Sequence, residues 1–265
     1  MYLQEFIIGI FTKVRKYILK VTVITVVYNA NRFLEKCILS VLGQQGVDFE
    51  YIVIDGGSQD GSLTILEKYQ SHFSYFISEP DNGMYDALNK GIRQATGDII
   101  GILNADDMFA NPQVLAAVVE YFSSHDVDAI YGNLNYIEPE SERVVRKWIS
   151  RPFDRTNFNR GWMPAHPTFY MKREKFFEHG LYSLDYGSAA DYEFMLRYLY
   201  THQIKAGFLE KLMVNMRLGG MSNASFKHRK QAFLNDLKAV KLHKLPFPWS
   251  TIIWKKISKV SQYLT

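Results

Sequence analysis

Residues 21–29 read VTVITVVYN and residues 51–62 read YIVIDGGSQDGS. A short β-branched run with no polar alternation and no helical period is what a parallel strand covered on both faces presents. Between the two runs, Phe33, Leu34, Cys37, Ile38, Val41 and Leu42 recur at helical spacing as one apolar stripe. The same alternation continues outward. A helix is expected after Asp60, a short strand at 74–78, and an amphipathic helix through Met84, Ala87, Leu88, Gly91, Ile92 and Ala95. A fourth strand at 98–103 closes on Asn104-Ala105-Asp106-Asp107. Asn111-Pro112 then reads as a helix start, a capping residue followed by proline at the first helical position. Strand and helix in turn predict an α/β domain over residues 21–222, a mostly parallel sheet with helices on both faces. In such sheets ligands bind beyond the carboxyl ends of the strands, where Asp55, Asp106 and Asp107 fall.

The chain has 265 residues, 47% of them hydrophobic, enough to bury a sizeable core and too apolar for intrinsic disorder. Cys37 is its one cysteine, so no internal disulfide forms and a reducing compartment is expected. No run of eighteen apolar residues is present to span a membrane. The first twenty residues do not fit a secretory signal, because Lys13, Arg15, Lys16 and Lys20 follow the apolar run 6–11 instead of preceding it. The net charge of +4 is unevenly spread: residues 1–20 carry a surplus of +3, residues 221–265 a surplus of +8, and the body between them −7. An acidic body with basic ends is not the profile of a nucleic-acid surface.

Adjacent carboxylates just past a buried strand repel each other unless a cation or ligand donors occupy the space between them. Asp106 and Asp107 suit a hard divalent ion, Mg²⁺ or Mn²⁺, completed by phosphate oxygens. The same residues also suit a solvated polar turn. After the second strand, Gly56 and Gly57 permit close backbone approach to a ligand, and Asp55 is placed to accept from a nucleobase N–H. Ser58 or Asp60 caps the next helix. Neither GxGxxG nor GxxxxGK[ST] occurs, which excludes a dinucleotide fingerprint and a P-loop. Further on, Ser188-Ala189-Ala190-Asp191 precedes the stripe Tyr192, Met195, Leu196, Leu199 and has capping-box spacing.

Taken in order, VTVITVVYNA, YIVIDGGSQDGS, SEPDNGMYDALNKGIRQATGDIIGILNADDMF and SAADYEFMLR resemble the family 2 glycosyltransferases, inverting enzymes with the Rossmann-like GT-A fold. The likeness runs over residues 21–222 and is strongest to bacterial members that build O-antigens, capsules and exopolysaccharides. It implies that Thr25, Val27 and Tyr28 pack on the nucleotide and that Asp55 reads a uracil edge. It also implies that Asn104 and Asp106 lie at the donor, and that Asp106 and Asp107 hold the metal. Asn104 stands where the family's first DxD aspartate would be. Leu88 replaces a common arginine, with Asp86 two residues before it at the donor side. The resemblance turns Asp191 from a cap into the catalytic base, with Glu193 as fallback.

The implied chemistry is an acceptor hydroxyl attacking the anomeric carbon opposite the departing nucleoside diphosphate, its proton passing to Asp191. An acidic body needs a metal to hold that anionic donor. The expected acceptor is a lipid-linked saccharide at the cytoplasmic face of the inner membrane. Transfer onto polyprenyl phosphate and a non-catalytic nucleotide-sugar-binding module are the alternatives. A nucleotidyltransferase is disfavoured, since Tyr28-Asn29-Ala30-Asn31 stands where its glycine-rich basic loop would be. The aromatic residues between 148 and 186 read mainly as core, His166 between Pro164 and Pro167 as a rigid turn, and Arg217 as either a diphosphate contact or an exit turn. The basic ends each form an amphipathic helix, through Ile7, Ile10, Phe11, Val14 and Ile18, and through Trp249, Ile252, Ile253, Trp254, Ile257 and Val260. They suit either an anionic membrane surface or packing on the domain.

Overall fold

A computed structural model describes residues 19–219 and 226–261. Strands β1 (Val21–Val27), β2 (Phe49–Asp55), β3 (Tyr75–Ser78) and β4 (Ile99–Ile102) alternate with helices α1 (Asn31–Leu42), α2 (Ser62–Tyr69) and α3 (Met84–Gln94). There follow β5 (Met108–Phe109), α4 (Val114–Ser124), β6 (Ala129–Ile137), β7 (Val144–Trp148), β8 (Tyr170–Lys172), α5 (Arg173–His179), α6 (Ala190–Met195) and β9 (Ala206–Arg217). Helices α7 (Phe226–Leu242) and α8 (Pro248–Ser261) close the described chain.

Among the described residues the strands form one sheet in the order β3-β2-β1-β4-β8-β6-β9-β5, with β7 on β6. The first four are parallel, as the alternation predicts. Beyond β4 the sheet becomes mixed: β8 runs antiparallel to β4 and β6, while β9 is parallel to β6.

All seven residues of β1 are buried, and their alternation divides the core between the two faces. Val21, Val23 and Val27 pack with Leu34, Cys37, Ile38 and Val41 of α1. Ile24 and Val26 pack on the other face with Ala87, Leu88 and Ile92 of α3. A Cβ on Gly91 would lie 2.7 Å from Ile24 Cγ2, so α3 sits this close to the sheet only with glycine there.

Helix α4 begins at Val114, later than the Asn111-Pro112 reading. Asn111 Oδ1 accepts the Gln113 N–H at 2.9 Å, which spends the capping side chain on an Asx turn before the helix. The C-terminal extension is docked on the domain. Asn235 Nδ2 donates to Tyr186 O at 2.8 Å and Thr251 Oγ1 to Asn159 O at 2.9 Å, while Lys255 Nζ donates to Asp236 Oδ1 at 2.7 Å and ties the two helices of the extension to each other. The amphipathic helix expected over residues 1–20 lies almost wholly outside the described residues. Among those described, no helix is long and apolar enough to cross a membrane.

Candidate active site

The loops after β1 and β2 are stitched together. Asn29 N–H donates to Ser58 Oγ, Ala30 N–H to Ser62 Oγ, and Asn31 N–H to Asp60 Oδ2. Asp60 also accepts the Ser62 N–H, so it serves the first turns of both α1 and α2. Asp55 is fully buried; its carboxylate accepts from Gly57 N–H, Ser58 N–H, Ser58 Oγ and Ser78 Oγ. Its visible role is therefore to brace this loop.

Thr25 and Val27 do not reach the cleft as expected. Thr25 is buried and accepts from the Tyr51 hydroxyl at 3.2 Å, and Val27 belongs to the α1 core. Strand alternation points both inward. Tyr28, just past the strand, is 63% exposed and is the residue of this trio that a nucleotide can touch. Asp86 reaches back from the first turn of α3 to accept the Asn82 N–H at 3.0 Å.

At the end of β4 the carboxylates separate into two roles. Asp107 is buried, with Oδ1 accepting Arg217 N–H at 3.0 Å and Oδ2 accepting Asn104 Nδ2 at 3.0 Å. Burial, joined by the charge of Asp106, pushes its carboxyl well above the ordinary range. Both of its oxygens are engaged within the protein, so it acts as a strut of the loop and is less available to a metal than its sequence position suggests. Asp106 remains half-buried, its carboxyl raised by burial and opposed by its own backbone N–H and the Arg217 charge. A divalent ion that takes most of its oxygen ligands from phosphate and water needs only one or two carboxylates, and Asp106 fits that demand. No group of three or more candidate metal-ligating side chains occurs among the described residues.

Arg217 is neither a diphosphate contact nor an exit turn. Its side chain is 1% exposed and clamps the loop, Nη1 donating to Asp106 O at 2.8 Å, Nε to Pro139 O at 3.3 Å, and Nη2 to Glu142 Oε1 at 2.7 Å.

The short turn His166–Thr168 precedes β8, whose Tyr170 pairs with Gly101 in antiparallel register. Residues just before Tyr170 therefore lie beside the carboxyl end of β4, where Asn104 begins. His166 Nδ1 stands 3.3 Å from Asp191 Oδ2, and both side chains are partly exposed. The pedestal under His166 is rigid, since buried Thr168 Oγ1 donates to Ala165 O at 2.7 Å and accepts Gly132 N–H at 3.0 Å. Asp191 Oδ1 accepts the Tyr192 N–H at 2.8 Å. The capping box read from Ser188 does not form, because Ala189 occupies the cap position of α6.

Glu193 is not an alternative base. It is buried between Arg197, at 3.0 Å, and His243 Nε2, at 3.2 Å. Arg197 further donates to the carbonyls of His179, Gly180 and Leu181, and buried Asn89 pairs both ways with the main chain of Tyr182. These contacts were not legible beforehand, since a long-range pairing of side chain with main chain leaves no periodic trace in a sequence. Of the aromatic residues between 148 and 186, Phe158, Phe169, Tyr170, Phe176 and Tyr186 are buried, and Phe153, Trp162 and Tyr182 pack against the same core from partial exposure.

The family model of glycosyl transferase family 2 matches residues 22–184. An uncharacterized glycosyltransferase of Mycobacterium tuberculosis (strain H37Rv) is 36% identical over 183 residues, covering 67% of this chain and 68% of that one. A PGL/p-HBAD biosynthesis glycosyltransferase of Mycobacterium bovis is 28% identical over 205 residues, covering 74% and 76%. Of solved structures, S. aureus TarS 1–349 in complex with UDP-GlcNAc superposes with a TM-score of 0.66 at 19% identity, covering 84% of this chain and 67% of that one. The mannosyltransferase PcManGT of Pyrobaculum calidifontis, in complex with GDP-Man and Mn²⁺, superposes with a TM-score of 0.66 at 20% identity, covering 91% and 69%. The fold is that of the GT-A glycosyltransferases, and the chain belongs to glycosyltransferase family 2.

Proposed function

We propose that this glycosyltransferase moves a sugar, with inversion, from a UDP-sugar to a hydroxyl of a lipid-linked saccharide in surface polysaccharide assembly at the cytoplasmic face of the membrane. The observation that carries the reading is the placement of a half-open carboxylate, Asp106, and the Asp191–His166 pair along the same carboxyl edge of the sheet.

Tyr28 supplies a face for the nucleobase, and Asp55 acts on it through the loop it braces. A UDP-sugar is the first donor to test because TarS has been crystallised with UDP-GlcNAc. Asp106 would hold a Mn²⁺ or Mg²⁺ ion, which when bound offsets charge growing on the diphosphate. Asn104, neutral and already donating to Asp107, leaves that task to Asp106. Asp191 takes the proton of the attacking hydroxyl.

The test is transfer and slow hydrolysis of radiolabelled UDP-sugars with Mn²⁺, offered a saccharide acceptor or polyprenyl phosphate. Asp191→Asn is expected to lower kcat by roughly 10²–10⁴-fold while donor affinity holds. Wild-type turnover in that variant removes Asp191 as base, and preferred transfer onto polyprenyl phosphate overturns the acceptor reading.

A further inference from the structure

Helix α8 has two apolar faces where a surface helix ordinarily has one. Its inner face is accounted for: Thr251 and Ile252 are fully buried, and Lys255 is tied to Asp236. Trp249, Ile253 and Ile257, spaced four residues apart, form with Trp254 a single outward arc, each at least half exposed. The last residue of α7, Leu242 at 57% exposure, and Phe247 in the turn leading into α8, at 68%, extend the patch. An apolar patch of this kind, rimmed by charge, marks an interaction site more often than chance exposure.

Its rim is basic. Lys241, Lys244 and Lys256 are exposed around it, and Lys241 Nζ lies 5.5 Å from the centre of the Trp249 ring. Residues 221–265 hold nine Lys and Arg against Asp236 alone. A second copy of this surface would bring like charges together. The basic segment 1–20 would do the same. Tryptophan with aliphatic residues inside a lysine rim matches the boundary of an anionic bilayer, where ring and chain enter the headgroup layer and ammonium groups meet phosphate.

We infer that the outer face of α8, with the turn before it, is a peripheral docking surface for anionic lipid. The face is coupled to the site through the fold. α8 packs on α7, and Asn235 of α7 holds Tyr186 O in the segment that leads into Asp191. The inference does not depend on which sugar or acceptor is used.

The test is cosedimentation of the full chain with phosphatidylcholine vesicles, with and without phosphatidylglycerol, for the wild type and for Trp249→Ser/Ile253→Ser/Trp254→Ser. All three side chains are at least half exposed, and because Trp249 also lies 6.4 Å from the Phe233 ring, unfolding temperature and turnover of a water-soluble acceptor check independently that the variant keeps the fold. The wild type is expected to sediment with the anionic vesicles and to be released by high salt. The variant is expected to bind them at least roughly tenfold more weakly. Equal binding of variant and wild type, equal binding to both vesicle types, or a wild-type dimer that the substitutions dissociate without vesicle binding would each overturn the inference. Absent turnover in both proteins bears on the transferase reading alone.

Discussion

Replacing Arg217 by Met tests whether the donor loop is held from the far end of the sheet. The methionine keeps most of the buried stem and removes the guanidinium. The Asp107 contact survives, because it is made by the Arg217 backbone N–H. What is lost is a donor to Asp106 O, a weaker one to Pro139 O and the pair with Glu142. A buried carbonyl left without a donor costs about 1–3 kcal/mol. Glu142 is 36% exposed and keeps Lys36, so its share is about 0–1 kcal/mol. The sum is about 1–4 kcal/mol, which for a chain of this size lowers Tm by roughly 2–16 °C. Thermal unfolding followed by circular dichroism reads it directly. Isothermal titration of UDP-sugar with Mn²⁺ should show weaker donor binding in parallel, since the main chain at Asp106 is freed. Arg217→Lys keeps the charge without the planar fork and should fall between the two. A Met variant melting within about 2 °C of wild type, with unchanged donor affinity, refutes the clamp.

His166→Ala should lower kcat by about tenfold with donor affinity intact, and His166→Asn, which restores an N–H near the Nδ1 position, should recover part of it; equal kcat in all three means His166 does not orient Asp191. Asp106→Asn should abolish the Mn²⁺-dependent part of donor binding, whereas Asp107→Asn should lower Tm and leave metal dependence in place, and the reverse pattern would return the metal to Asp107. Burial raises the Glu193 carboxyl, but His243 and Arg197 outweigh it and hold it below its ordinary value. Its stabilising contribution is therefore present above the unfolded pKa and lost as pH falls through the folded one. The urea midpoint gap between wild type and Glu193→Gln should shrink from pH 7 to pH 3, and a gap that widens on acidification shows the sign to be wrong.

The parallel half of the fold was legible because β1 to β4 are continuous apolar runs separated by clean helical stripes. Beyond residue 110 the strands, unlike the helices, left no clear signal, for a physical reason. β9 is long and half-exposed, and β6 carries Gly132, Asn133 and Asn135 within it, so neither shows the unbroken run that marked β1. The site was legible in its residue types at strand ends. Chemistry there follows from position along the chain, whereas burial does not: nothing in Asn104-Ala105-Asp106-Asp107 reveals which aspartate an arginine 110 residues later will take. His166 and Asp191 are likewise joined only once β8 has paired with β4.

The segment between α5 and Asp191 is gripped along its main chain as well as by buried side chains such as Tyr186 and Ala189. Arg197 grips the carbonyls of residues 179, 180 and 181, and Asn89 grips both the N–H and the carbonyl of residue 182. Such grips fix the path of the chain and are indifferent to the side chains at 179–181. A scaffold of this kind separates where the chain before Asp191 runs from what it displays. Side chains at 179–181 can change there while the carboxylate beyond keeps its place.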